Sequence, residues 1–294
     1  MPELPDVTVY CEALAARIAG HVLLRVDIVH PFLLRTAVPP VTAVEGRRVV
    51  GVRRIGKRIA IELDGGLFVV IHLMIAGRLR WLAAGDKPPA RITLAVLHFG
   101  SGRLAITEAG TRRRASLHVV EGDDALASLG VPGLEIADID EATFASRLVA
   151  ENHTLKRALT DPRTFSGIGN AYSDEILHRA RLSPIAHTQK LSRDDIARLY
   201  HATREVLDEW TRRLREQAGA GFPVKVAAFR PEMAVHGRYG KPCPVCGAPV
   251  QRIVYAENEC NYCARCQTGG KVLADRALSR LLHESWPRSI DALE

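Results

Sequence analysis

Two groups of residues in this chain could do chemistry. The first is the opening, Met1-Pro2-Glu3-Leu4-Pro5-Asp6. With Met1 removed, Pro2 presents a secondary amine, and a free α-amine with a pKa of about 7.7–8.0 is partly unprotonated near neutral pH. Such an amine can attack an electrophilic carbon, the C1′ of a sugar for example, and form an iminium as a Schiff-base lysine does. Glu3 beside it can serve as general acid or base. Taken alone, the same six residues also fit an ordinary chain start, because termini are usually poorly ordered. The second group is Cys243-x-x-Cys246 and Cys263-x-x-Cys266, separated by sixteen residues. Two such knuckles fit a tetrahedral zinc site with four thiolates at about 2.3 Å from the metal. Four thiolates leave no open position, so one zinc ion would be structural and would fix the hairpin between the knuckles. Cys260 also stands at knuckle spacing from Cys263; we take Cys263 and Cys266 as ligands and Cys260 as a free neighbour.

Five of the six cysteines lie between Cys243 and Cys266, a clustering that points to metal rather than to disulfides in a reducing compartment. The opening lacks the basic-then-apolar order of a signal peptide, and the apolar stretches are too short to span a bilayer. A cytoplasmic protein with no membrane partner is expected. Lys and Arg outnumber Asp and Glu by 40 to 33, a formal charge of +7, which favours a polyanionic partner. Arg47-Arg48, Arg53-Arg54 and Arg112-Arg113-Arg114 concentrate that charge. Each cluster fits phosphate contact or a solvated basic face equally well.

These groups need elements to hold them, and 294 residues suffice for two domains of ordinary size. Val7, Tyr10, Cys11, Leu14, Ala15 and Ile18 recur at helical spacing, so a helix is expected over Val7–Ala19, with Asp6 able to cap it, Gly20 to stop it and Cys11 in its core. From His21 to about Val120 short β-type runs follow: Leu23–Val29, Arg48–Val52, Arg58–Leu63, Leu67–His72, Gly77–Leu82, Ile92–Phe99 and Arg103–Thr107. Glycine-rich turns separate them, the pattern of an antiparallel sandwich or flattened barrel. Lys57 starts one strand and His72 ends another. A connector, Glu121–Asp140, precedes helical patterns at Glu141–Ala150, Leu155–Leu159, Ala171–Arg181 and Asp194–Gln217. Between two of these lies Gly167-Ile168-Gly169-Asn170; the glycines permit tight turns, Asn170 is expected at the N-cap, and the helix start suits a phosphate.

In this order, the features resemble the formamidopyrimidine-DNA glycosylase / endonuclease VIII family of base-excision repair enzymes, over nearly the whole chain. The carriers are Pro2-Glu3-Leu4-Pro5, Gly56-Lys57, His72-Leu73, Gly167-Ile168-Gly169-Asn170-Ala171-Tyr172 with Glu175, and the cysteine ending. The resemblance implies an α+β multidomain fold: an N-terminal antiparallel β-sandwich with an N-terminal helix (1–125), a helix–two-turns–helix domain (126–240), a four-cysteine zinc finger (241–270) and a tail (271–294). It implies a bacterial DNA glycosylase with AP lyase activity, a monomer acting on double-stranded DNA that holds a damaged base or an abasic site. Pro2 would attack C1′ of the flipped nucleoside, with Glu3 and Lys57 in the catalytic set. His72, Arg112, Arg113, Lys156 and Asn170 would contact DNA, and Asp6 and Glu175 would support the site from behind, Glu175 by hydrogen-bonding the Pro2 amine. Departures stand beside these matches. Asn258 occupies the place of an arginine in the zinc hairpin, between Glu257 and Glu259; Ile75 replaces a methionine wedge; Arg112–Arg114 stand where an arginine-phenylalanine wedge is usual; the loop Gly219–Gly237 is short; and Asp6 replaces a glutamate. The alternatives implied are a lyase without base excision, or a binder of damaged DNA without catalysis.

Overall fold

The computed structural model describes residues 1–110, 112–131, 133–224, 230–255, 258–274, 281 and 287–292. Thr111, Glu257, the side chain of Asn258, residues 225–229 of the Gly219–Gly237 loop and most of the tail lie outside the described residues. The chain divides into two compact units, Met1–Val131 with Trp210–Ala227, and Pro132–Glu209 with Ala228–Glu294.

The first unit opens on α1 (Leu4–Ile18), three residues earlier than periodicity suggests. The reason is its start. Glu3 is the N-cap and Asp6 the third helical residue, and the Asp6 carboxylate accepts the Glu3 N–H at 3.0 Å. This capping box, with Pro5 in the first turn, lets the helix begin beside Pro2. Val7, Tyr10, Leu14 and Ile18 are fully buried along one face. Cys11 belongs to the same core, and burial pushes its thiol up to about 12, so it is inert packing.

Eight antiparallel strands follow: β1 (Val22–Ile28), β2 (Arg47–Ile55), β3 (Arg58–Leu63), β4 (Leu67–His72), β5 (Gly77–Leu82), β6 (Thr93–Phe99), β7 (Gly102–Glu108) and β8 (Ser116–Glu121). Their order is β5-β7-β6-β1-β2-β3-β4-β8. The halves β5-β7-β6-β1 and β2-β3-β4-β8 close on one core, in which Leu79, Leu94, Leu97 and Ile106 share a cluster with Ile59, Ile61, Ile71 and Leu117. The outer side of the second half carries a smaller cluster, Ala60, Phe68, Val70, Val120 and Leu126. Leu126 belongs to α2 (Asp123–Leu129), a helix inside the stretch expected to be a connector. Its seven residues are too few to show a period, and burial of Leu126 holds it in place.

The second unit holds α3 (Glu141–Val149), α4 (Leu155–Thr160) and α5 (Asn170–Arg179). The long α6 (Arg193–Ala218) contributes residues to both units. The hairpin of β9 (Gln251–Tyr255) and β10 (Asn258–Tyr262) and the short α7 (Ala264–Thr268) complete the second unit. No helix among the described residues is long and apolar enough to cross a membrane.

Candidate active site

In the first unit the N-terminal residues are not loose. Pro2 and Glu3 are buried, Glu3 to 2 % exposure. Burial lowers the pKa of the amine at Met1; Glu3 and Asp6 pull it back up, and Arg78 and Lys57 lower it further. A lowered pKa leaves more of that Met1 amine unprotonated near neutral pH than in a solvated chain end. Sequence reasoning singled out Pro2, Glu3, Asp6 and Lys57 as site residues. It missed Arg78 on β5, whose Nη1 donates to the carbonyls of Gly77 (2.6 Å) and Ile75 (3.2 Å). No local signal distinguishes Arg78 from the alternating polar residues of an outward strand face.

Lys57 sits in the turn between β2 and β3, after Gly56 at φ +58. His72 ends β4 opposite Arg58 on β3 and Ser116 on β8. Burial, then Arg58, Lys57 and His118, bring its pKa down to about 4, so the imidazole is neutral at pH 7. The β4–β5 turn then presents Ile75. Gly77 N–H closes it onto the Leu73 carbonyl at 2.9 Å, Met74 takes a left-handed φ of +52, and Ile75 points into solvent. A Cβ at Gly77 would stand 2.2 Å from the Leu73 oxygen, so only glycine fits there.

The loop carrying Arg112, Arg113 and Arg114 is organised by Glu108. This buried carboxylate accepts the N–H groups of Arg114 (3.0 and 2.9 Å) and Ala115 (3.0 Å). Arg113 is tied back, to His30 Nε2 at 2.7 Å and to the Arg91 carbonyl at 2.9 Å, while Arg112 and Arg114 are exposed.

In the second unit, α5 faces the zinc hairpin. Gly169, not Asn170, is its N-cap: Gly169 has the extended backbone, and its carbonyl accepts the Ser173 N–H. Asn170 is the first helical residue, and its Nδ2 donates instead to the Glu259 carbonyl of β10 at 2.9 Å. The Asp174 carboxylate is fully buried. It receives Lys156 Nζ at 2.5 Å, His236 Nδ1 at 2.7 Å and the Asn261 N–H at 3.1 Å. Lys156 also donates to the Asn170 carbonyl and Ser173 Oγ, so this lysine anchors the start of α5. Glu175 accepts three backbone N–H groups, from Ala234 (2.7 Å), Val235 (2.9 Å) and His236 (2.9 Å). Burial pushes its carboxyl up, against those three donors.

The Sγ atoms of Cys243, Cys246, Cys263 and Cys266 lie within 4.8 Å of one another. Cys243 N–H bonds the Ala248 carbonyl and Gly247 turns at φ +78, which shapes the first knuckle. Cys263 caps α7, accepting the Cys266 N–H. Four converging thiols with no carboxylate or imidazole ligand among them fit one structural zinc ion. Cys260 is outside the set. It is buried beside Asp174, and burial pushes its thiol well up.

A sheet unit that embeds its own N-terminus, a glycine-turned helix and a four-thiolate finger together define a DNA-repair glycosylase class. Family models agree: the formamidopyrimidine-DNA glycosylase N-terminal domain matches residues 1–117, its H2TH domain residues 130–217, and the zinc finger found in FPG and IleRS residues 240–269. A formamidopyrimidine-DNA glycosylase of Thermus thermophilus is 34% identical over 283 residues, covering 92% of this chain and 100% of that one. A crystal structure of the MutM (Fpg) protein from the same organism superposes with a TM-score of 0.76 at 32% identity, over 90% of this chain and 98% of that one. The Lactococcus lactis enzyme, non-covalently bound to DNA containing an AP site, gives 0.79 at 25% identity, over 90% and 99%. An uncharacterized formamidopyrimidine-DNA glycosylase-like protein of Mycobacterium tuberculosis is 42% identical over 150 residues, 51% of this chain and 93% of that one. The chain belongs to the formamidopyrimidine-DNA glycosylase family, DNA glycosylases of base-excision repair with a structural zinc finger.

Proposed function

We propose that Pro2, freed of Met1, is the nucleophile of a combined glycosylase and AP lyase acting on double-stranded DNA. The amine lone pair attacks C1′ of an extruded nucleoside, the C1′–N bond breaks, and the base leaves with a proton. The C1′–O4′ bond then opens, O4′ takes a proton, and an iminium joins Pro2 to C1′. Glu3 moves the protons at the sugar. Removal of a C2′ proton expels the 3′ phosphate, a second elimination expels the 5′ phosphate, and hydrolysis of the iminium returns the free amine and releases the sugar remnant as an aldehyde. Lys57 and His72 of the first unit and Asn170 of the second take DNA phosphates, neutral His72 as an N–H donor. Arg112 and Arg113 add backbone contacts. Asp6 acts from behind through the Glu3 backbone. The observation that carries this reading is the burial of Pro2 beside buried Glu3, whose backbone N–H is held by the Asp6 carboxylate. We further place the protein in the cytoplasm as a monomer, on the nucleoid when bound, with domains over 1–125, 126–240, 241–270 and 271–294.

A second reading keeps the lyase alone. Exposed Arg114 stands near where the family carries an apolar wedge, and a lyase on abasic sites needs no wedge to extrude a base. Borohydride trapping separates the two. A covalent adduct on lesion-bearing and abasic duplexes, lost in P2G and slowed in E3Q, supports the full reading. Adducts on abasic DNA alone support the second. No adduct on either, from protein whose mass shows Met1 removed, refutes both.

A further inference from the structure

One face of α5 is laced to the zinc module along its whole length. Asn170 reaches the Glu259 carbonyl, Asp174 the Asn261 N–H, and His178, eight residues after Asn170, the first zinc knuckle. His178 is 6 % exposed, and its Nε2 lies 3.3 Å from Cys243 Sγ. A second tie lies just beyond the helix. Gln267 of α7 accepts the Cys263 N–H at 2.8 Å and donates to the Leu182 carbonyl at 2.9 Å. One ligand in each knuckle is therefore gripped by a side chain that also belongs to, or bonds with, the α5 region.

A zinc-bound cysteine is a thiolate, an acceptor only. A ring nitrogen 3.3 Å from it is held there by an N–H···S bond, which sets His178 as the Nε2–H tautomer. We infer that His178 is a positioning residue for the metal: its Nε2–H donates to the Cys243 thiolate and joins zinc occupancy to the placement of α5 and its first residue, Asn170. The donated hydrogen bond draws charge from the sulfur. The thiolate is stabilised against protonation and becomes a poorer nucleophile, as outer hydrogen bonds do at other metal sites. Helical spacing makes the link mechanical as well, since His178, Asp174 and Asn170 are one turn apart on one face.

The test compares wild type with H178F, which keeps a buried ring but no donor, and with H178Q, whose Nε2–H has similar reach. Wild type taking up one zinc is the separate check of the site itself. In H178F, zinc held against a competing chelator is expected to weaken about 10- to 100-fold, with H178Q recovering most of the loss. In the cobalt-substituted protein, the thiolate-to-metal charge-transfer band moves to lower energy in H178F and returns in H178Q. Alkylation of the metal-bound cluster speeds up in parallel. An unchanged cobalt band and unchanged zinc affinity in folded H178F would overturn the inference. H178L carries the same measurements if H178F does not fold.

Discussion

Glu175 offers the sharpest test, because the resemblance and the geometry give it different work. The resemblance assigns it to the Pro2 amine. The geometry commits both oxygens to a loop: Oε1 to Val235 and His236, Oε2 to Ala234. In E175Q the amide oxygen can keep the two bonds of Oε1, while the new NH2 faces the Ala234 N–H, donor against donor. Bonds to a charged acceptor contribute about 1.5–3 kcal/mol each, and neutral ones about 0.5–1.5. One bond lost and two weakened amount to about 3.5–6 kcal/mol. Relief of the buried charge, whose cost raises the carboxyl's pKa, returns part of this. With a net loss local to the loop of at least about 2 kcal/mol, hydrogen exchange read by mass spectrometry over 230–236 should quicken by about 30-fold or more in E175Q. The rate of borohydride trapping on abasic DNA, measured at saturating duplex, should change far less. Unchanged exchange with slowed trapping would refute the loop role and return Glu175 to the amine.

His72 makes stability depend on pH with a definite sign. Its folded pKa of about 4 lies below the unfolded value of about 6.5, so the unfolded chain takes up the proton first. Its contribution is complete above about pH 6.5 and is lost as pH falls through about 4. H72N, titrated against wild type in urea between about pH 7 and 4.5, should show an acid-side loss smaller by about 2 kcal/mol; parallel curves would contradict this. Metal analysis should find one zinc per chain in C260A and none retained after gel filtration in C263S, and equal loss in both would return Cys260 to the ligand set. I75A should slow excision of a damaged base about tenfold or more, since an apolar wedge offsets the cost of unstacking, while abasic-site trapping keeps its rate; equal slowing of both reactions would remove Ile75 from that role.

Much of the architecture was legible because it is periodic or local. The α1 stripe, the alternating strands and the CxxC spacing each follow from geometry within a few residues. Short α2 was not, because burial of Leu126 rather than any repeat creates it. The N-cap of α5 was misplaced by one residue because an asparagine is the better capping type, and the competing bond to Glu259 comes from 89 positions away.

The sequence by itself determined the chemistry on offer: a proline at position 2 that would bear an amine once Met1 is removed, a carboxylate beside it, four thiols at knuckle spacing and the glycines that let turns form. Tertiary structure decided which partners these residues have. It buried Pro2 and Glu3, set Arg78 and Lys57 to act with Glu3 and Asp6 on the charge of the chain start, lowered the pKa of His72, and turned Lys156 and Glu175 inward as anchors. It also put Cys260 beside Asp174 rather than with the other thiols. The reason is physical. Residue type sets what a group can donate, accept or attack, but desolvation and hydrogen-bond partners come from segments distant in the chain, and those set its charge and its task.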